Sequence, residues 1–392
     1  MKTVKTFLVA LVLAMAGMDA SWAADPGVTA TTVRFGVIVD KTGPVAFLGQ
    51  SMEKGTRAYI NHINAQGGVH GRKIELLVET DDYTPAKTVA AAKKLVDRDE
   101  VFGFVANLGS APTLAILDFI QERKIPLVGP ASGAPAVFYP PKRYVFGSIG
   151  SFIGTGRIIA DYAATEMGKS KPKIGIMYHD DEFGQGVLNN LRAQLKEKHG
   201  FDLAAEASVK RGAVDVSAQV LRLREAGCEI VLLAAPYGPA ANFLKEAAKL
   251  AWKPTFILEQ TAVDPKLVEL AGPAAEGAII TAKFEFTDSQ APAVLQAKKF
   301  VEESYPGTAL NNFVYWGYVP AVVLVEGLRR AGKNLTREGL TQALEGLKGF
   351  ETGITPSISY SPESRVGHEG MFFGRITDGK FVRTTPWKTF RQ

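Results

Sequence analysis

Short β-branched runs and amphipathic stretches alternate along this chain, and the whole alternation occurs twice. The first round sets strand-like segments at 33–39, 73–78, 101–106 and 125–128, separated by helix-like segments at 49–65, 84–98 and 111–123. In the first helical segment Met52, Tyr59, Ile60 and Ile63 fall near one face, and Gly67-Gly68 closes it. The second round sets strand-like segments at 173–178, 203–209, 229–234 and 255–258, with helix-like segments at 184–199, 214–226 and 238–250. Parallel strands need long crossovers, and helices of this length supply them. The order predicts an α/β fold built from two copies of one unit, each a doubly wound parallel sheet with helices on both faces. Residues 144–150, extended and containing Gly and Ser, suit a passage between the copies. Further on, a strand is expected at 277–284, helices at 291–304, 313–331 and 337–346, and short β segments such as 370–377 in the tail.

At 392 residues the chain has room for about two domains. Its 46% hydrophobic and 22% charged residues exclude a disordered chain or a fibre. The net charge of +5 is mild and is not gathered into a basic run, so nucleic acid is not an expected partner. Cys228 is the single cysteine, which excludes an intrachain disulfide and any site needing several thiolates. It reads as a small hydrophobe at the start of a buried strand.

The N-terminus decides the expected compartment. Lys2 and Lys5 precede an apolar run at 7–18, and Ser21-Trp22-Ala23 places small residues before a cut. This is the layout of a secretory signal peptide over residues 1–23, cleaved near Ala23, and it predicts export to the periplasm. The apolar run is short of the ~20 residues that span a bilayer.

Enzyme signatures are missing from the sequence. There is no G-x-S-x-G elbow, no Walker A pattern and no G-x-G-x-x-G after the first strand. The histidines, His62, His70, His179, His199 and His368, never stand at i, i+4 spacing, so neither a metal nor another cofactor is expected. Acids at strand ends (Asp81-Asp82, Asp180-Asp181, Glu182) leave an exported enzyme as a rival reading, although such acids more often form turns and caps. The informative loops also lie at strand ends, where α/β sheets bind ligands. Asn107-Leu108-Gly109-Ser110-Ala111-Pro112-Thr113 runs into a helix start, which offers Ser110 as a cap or as part of a carboxylate site. Gly129-Pro130-Ala131-Ser132-Gly133 is small enough for a ligand to approach its backbone. In the second round Asp181-Glu182-Phe183-Gly184, Pro236-Tyr237-Gly238 and Leu258-Glu259-Gln260-Thr261 sit at equivalent places. Two lobes carrying such loops would face each other across a cleft.

These segments, with Thr42-Gly43-Pro44-Val45-Ala46, 63–73 (Asn64-Ala65-Gln66-Gly67-Gly68 within it), Glu79-Thr80-Asp81-Asp82 and Asp181-Glu182-Phe183-Gly184-Gln185-Gly186, resemble the leucine/isoleucine/valine-binding family of type I periplasmic binding proteins. The resemblance covers nearly the whole chain after residue 23. It implies two lobes joined by three crossover segments, an N-terminal lobe of 24–147 and 284–352, and a C-terminal lobe of 148–283 and 353–392. It implies a periplasmic substrate-binding component of an ABC importer, a monomer without catalytic activity, with the membrane permease as partner. The ligand carboxylate would be held at Ser110 and at the backbone of Ala131, Ser132 and Gly133, with Phe183 and Tyr237 contacting it from the second lobe. The acid that holds the ligand ammonium in this family falls at Gln260 or one residue away at Glu259. The family's first-loop aromatic is shifted to Phe47, and its second-loop threonine is Gly133. A branched-chain or other hydrophobic amino acid is the expected ligand if Glu259 faces the cleft. An aromatic or aliphatic carboxylic acid is the alternative if Gln260 does, and an amide-responsive sensing role is a further one.

Overall fold

The computed structural model describes residues 25–168, 170–210 and 212–390, so the expected signal peptide lies outside the described residues. The first sheet holds β1 (Thr32–Val39), β2 (Lys73–Thr80), β3 (Gly103–Val105), β4 (Leu127–Val128) and β5 (Val145–Phe146). Its order is β2-β1-β3-β4-β5, and every pairing is parallel. The helices α1 (Ala46–Ala65), α2 (Pro85–Lys93) and α3 (Ser110–Glu122) make its crossovers, and a short turn of helix, α4 (Pro135–Phe138), precedes β5. With helices on both faces, the strands must be apolar on both faces, and β1 is accordingly almost wholly buried.

The chain then passes through α5 (Phe152–Thr165) into the second sheet. Here β6 (Ile174–His179), β7 (Ala205–Val209), β8 (Ile230–Ala234), β9 (Thr255–Leu258) and β10 (Ile279–Ala282) alternate with α6 (Glu182–Gln194), α7 (Ser217–Glu225), α8 (Tyr237–Lys249) and α9 (Pro265–Ala271). Their order, β7-β6-β8-β9-β10, repeats that of the first sheet. In both units the order reverses beside the first strand, so the loops after β1 and β3, and after β6 and β8, open a crevice at the carboxyl edge.

The second sheet is mixed rather than wholly parallel. The tail strands β13 (Gly370–Thr377) and β14 (Lys380–Arg383) add to β10 in antiparallel fashion, and β15 (Lys388–Thr389) pairs with β13. A hairpin such as β13–β14 needs only a short connection.

The remaining helices return to the first sheet. Of α10 (Pro292–Ser304), α11 (Asn312–Ala331) and α12 (Arg337–Glu345), the middle one lies along α1. Its Phe313, Val314, Tyr318 and Leu324 share one core with Met52 and Ile60 of α1 and with Phe35 and Val37 of β1. The hairpin of β11 (Ser359–Ser361) and β12 (Ser364–Gly367) packs here too. Tyr360 is buried with its ring centroid 5.2 Å from that of Phe146, and its hydroxyl donates to the Gly147 carbonyl at 2.6 Å. Residues 358–367 thus stand with the first sheet, whereas the sequence reading places everything from 353 with the second. Burial of Tyr360 against Phe146 decides the difference.

Three strands of chain cross between the sheets side by side. The imidazole Nε2 of His368 lies 3.2 Å from the Ser148 carbonyl. Glu369 accepts from the Ser151 amide at 3.0 Å and from its hydroxyl at 2.5 Å. Lys283, fully buried, donates to the Ser151 carbonyl at 3.5 Å.

Candidate functional site

A cavity lies where the carboxyl edges of the two sheets meet. From the first half it is lined by Val45 and Leu48 after β1, Tyr83 after β2, Leu108, Gly109 and Ser110 after β3, and Ala131 and Gly133 after β4. From the second it is lined by His179, Asp181 and Phe183 after β6, Pro236 after β8, and Gln260 and Thr261 after β9. Ile149 and Phe152 of the first crossing and Trp316 of α11 complete the wall.

Ser110 opens α3, and the first N–H groups of a helix have no carbonyl partner within it. Gly109 before it has φ 99°, and a Cβ there would stand 2.4 Å from the Tyr83 ring, so glycine is required for the helix to start at this angle. The loop is tied to its neighbour. Gly109 N donates to the Ala131 carbonyl at 3.2 Å, and Ala131 N donates to that of Asn107 at 2.7 Å. The Ser110 hydroxyl accepts from that of Ser132 at 3.0 Å, and the Ser132 oxygen in turn accepts from Ala134 N at 3.2 Å. A hydroxyl, the first amides of a helix and the helix dipole together favour an anion.

Of the expected ligand contacts, the structure brings Ser110, Ala131, Gly133, Phe183 and Gln260 to this wall. Ser132 does not line it, and stands behind Ser110 as a hydrogen-bond donor. Gly133 has a steric reason: a Cβ there would lie 2.7 Å from the Phe152 ring, which already fills that space. Phe183 both faces the cavity and packs edge-on against Phe152, with ring centroids 5.4 Å apart. Phe47 and Tyr237 line a second cavity that adjoins the first at His179, Val45, Leu48 and Pro236. Their rings meet Phe313, at 6.1 Å from Phe47 and 6.3 Å from Tyr237.

Glu259 and Gln260 part company. The chain leaves β9 directly into a single turn of helix at Gln260–Ala262, so strand alternation does not govern the pair. Glu259 caps that turn. It is fully buried, and one carboxylate oxygen accepts from the Thr261 amide at 2.8 Å and from its hydroxyl at 2.6 Å. Burial pushes its carboxyl above the usual range, against the lowering effect of the Thr261 hydroxyl and Lys283. Gln260, not Glu259, lines the cavity.

Sequence reasoning did not single out His179, Trp316, Phe152 or Tyr83 as ligand contacts. His179 and Asp181 form a buried pair, Nδ1 to Oδ2 at 2.9 Å, while the other Asp181 oxygen accepts from the amides of Phe183 and Gly184 at 3.1 and 3.2 Å. Their position after the first strand of the second unit was a usable signal. Trp316 had none, because it reaches the wall from a helix more than two hundred residues beyond Ser110 in the sequence. Among the described residues no group of three or more His, Cys, Asp or Glu could hold a metal ion. No described helix is long and apolar enough to cross a membrane.

The sequence profile of the family described as periplasmic binding protein matches residues 32–380. A Leu/Ile/Val-binding protein homologue of Brucella melitensis is 25% identical over 351 residues, covering 89% of this chain and 93% of its own. A leucine-, isoleucine-, valine-, threonine- and alanine-binding protein of Pseudomonas aeruginosa is 24% identical, covering 81% of this chain and 83% of its own. The structure of a branched-chain amino acid ABC transporter protein from Thermus thermophilus, solved with bound valine, superposes with a TM-score of 0.85 at 27% identity, covering 92% of this chain and 97% of the other.

Proposed function

This chain belongs to the periplasmic binding protein family, and from that premise we propose that it is the substrate-binding component of an ABC importer. It takes a small hydrophobic solute by its carboxylate into the cavity between two lobes and presents it to the membrane permease. The observation that carries this reading is the placement of Ser110, at the start of α3, on an otherwise largely apolar wall shared by both sheets. The named ligands of its relatives make branched-chain amino acids the first candidates within that class. The site residues in this reading are Ser110 and the Ala131–Gly133 backbone for the carboxylate, with Phe183, Tyr237 and Phe47 around the apolar part.

The protein acts in the periplasm after removal of residues 1–23, as a monomer and without catalysis. One lobe comprises residues 25–147, 284–352 and the hairpin up to 367, and the other 148–283 and 368–392. Closure turns on the crossings where Ser151, Lys283 and Glu369 meet.

The test is titration calorimetry of the mature protein with leucine, valine, phenylalanine and the matching acids that lack the amino group. Saturable binding of at least one, lost when its carboxylate is converted to an amide, supports the reading. Equal binding of acid and amide overturns the carboxylate seat.

A further inference from the structure

Two residues on the cavity wall carry buried polar atoms without a hydrogen-bond partner. They are Gln260 at 2% exposure, through Oε1, and Trp316 at 5%, through Nε1. One is an acceptor and the other is a donor only. Buried polar groups are almost always paired, so two such orphans on one ligand wall point to what the ligand brings. The elements that bear them are joined, because the side chain of Asn312 at the start of α11 donates to the Gln260 carbonyl at 3.2 Å.

An α-ammonium group fits this wall poorly. It could donate to Gln260 Oε1, but it would place a cation against the Trp316 N–H and leave that donor unpaired. Glu259 does not line this wall: one of its oxygens is in its own cap and the other is buried without a partner. The carboxylate that does line it, Asp181, already pairs with His179 and accepts from two backbone amides. A buried cation without a carboxylate partner is costly. A hydroxyl group, by contrast, donates once and accepts twice. It offers both the donor that Gln260 Oε1 lacks and the acceptor that Trp316 Nε1–H lacks while remaining neutral.

Resting on the reading that the site takes a hydrophobic carboxylate, we infer that its solute is a hydroxy acid, whose hydroxyl is read by Gln260 and Trp316 in place of an amino group. The discrimination has a physical basis, since a site built to hydrogen-bond a hydroxyl rejects an analogue that leaves its polar groups unpaired.

The experiment uses the mature full-length protein and calorimetry with 2-hydroxyisocaproate, its deoxy analogue isocaproate, and leucine, together with 4-hydroxybenzoate and benzoate. At least one hydroxy acid should bind tenfold or more tightly than its deoxy partner and than leucine. Gln260→Leu and Trp316→Phe should each erase most of the preference for the hydroxy acid over its deoxy partner. Both should keep the melting temperature of the ligand-free protein, which separates lost recognition from misfolding. Gln260→Glu should move the preference toward leucine. Leucine binding as tightly as either hydroxy acid overturns the inference and leaves the carboxylate reading intact. Failure of every acid in the panel overturns that reading and the inference with it.

Discussion

Phe47 and Tyr237 stand edge to face across the mouth of the cleft, their ring centroids 5.9 Å apart and their planes at 85°. One ring comes from the first turn of α1, on the first sheet, and the other from the first residue of α8, on the second. An aromatic pair of this geometry is worth about 0.5–1.5 kcal/mol beyond the area it buries. In the proposed opening of the lobes its two halves would move apart, so the contact would favour the closed state.

Tyr237→Ala should weaken solute binding through faster dissociation, while the melting temperature of the ligand-free protein barely changes. Stopped-flow dissociation and thermal unfolding check this. A large drop in melting temperature with an unaltered dissociation rate would show that Tyr237 belongs to its own lobe's core.

Ser110→Ala should weaken binding by about 1–3 kcal/mol, the scale of a hydrogen bond to a charged group together with the orphaning of its partner. The Ser132 hydroxyl, which donates to it at 3.0 Å, is the group left behind. Calorimetry on the variant reads the effect directly, and an affinity within error of the parent protein would leave Ser110 with no role beyond starting α3.

Glu369→Ala should destabilise the fold by about 1.5–3 kcal/mol in urea unfolding, since the carboxylate accepts from both the amide and the hydroxyl of Ser151. The loss falls on the junction between the first and third crossings. It should therefore also widen the range of lobe angles in small-angle scattering of the ligand-free protein. Unchanged scattering alongside a lower urea midpoint would confine Glu369 to a capping role.

His368 makes acid stability predictable in sign. Burial, with the nearby Lys283 charge adding to it, pushes this imidazole down to about 3. Its other contacts are the Ser148 carbonyl and the Gly370 amide, and Glu369 is its chain neighbour. Below the unfolded value near 6.5, the unfolded chain binds a proton that the folded chain refuses, so stability falls as pH falls. Between pH 6.5 and 5 this one group should cost about 1–2 kcal/mol. His368→Gln, which can still donate and accept, should flatten the dependence over that interval in urea titrations at each pH. An equally steep fall in the variant would assign it to other groups.

The strand–helix alternation, the duplication and the placing of loops at the strand ends were legible in the sequence, because each rests on local periodicity and chain order. Apolar runs such as β1 must be covered on both faces wherever they lie, and loops at the carboxyl edge follow from parallel pairing alone. Ser110 could be singled out from its place at a strand end and helix start, while Ala131, Gly133 and Phe183 were named from the family resemblance, and all four line the cavity. Tertiary structure decided what local pattern leaves open. Glu259 and Gln260 are adjacent, and nothing in their identity says which lines the cavity; the turn after β9 decides it, because one Glu259 carboxylate oxygen accepts from the amide and hydroxyl of Thr261 and the side chain turns inward. Trp316 and Phe152 reach the wall from a distant helix and from a crossing, and Tyr360 carries the tail hairpin back onto the first sheet. Such placements depend on which buried surfaces fit together, and that complementarity exists only once the chain has closed on itself.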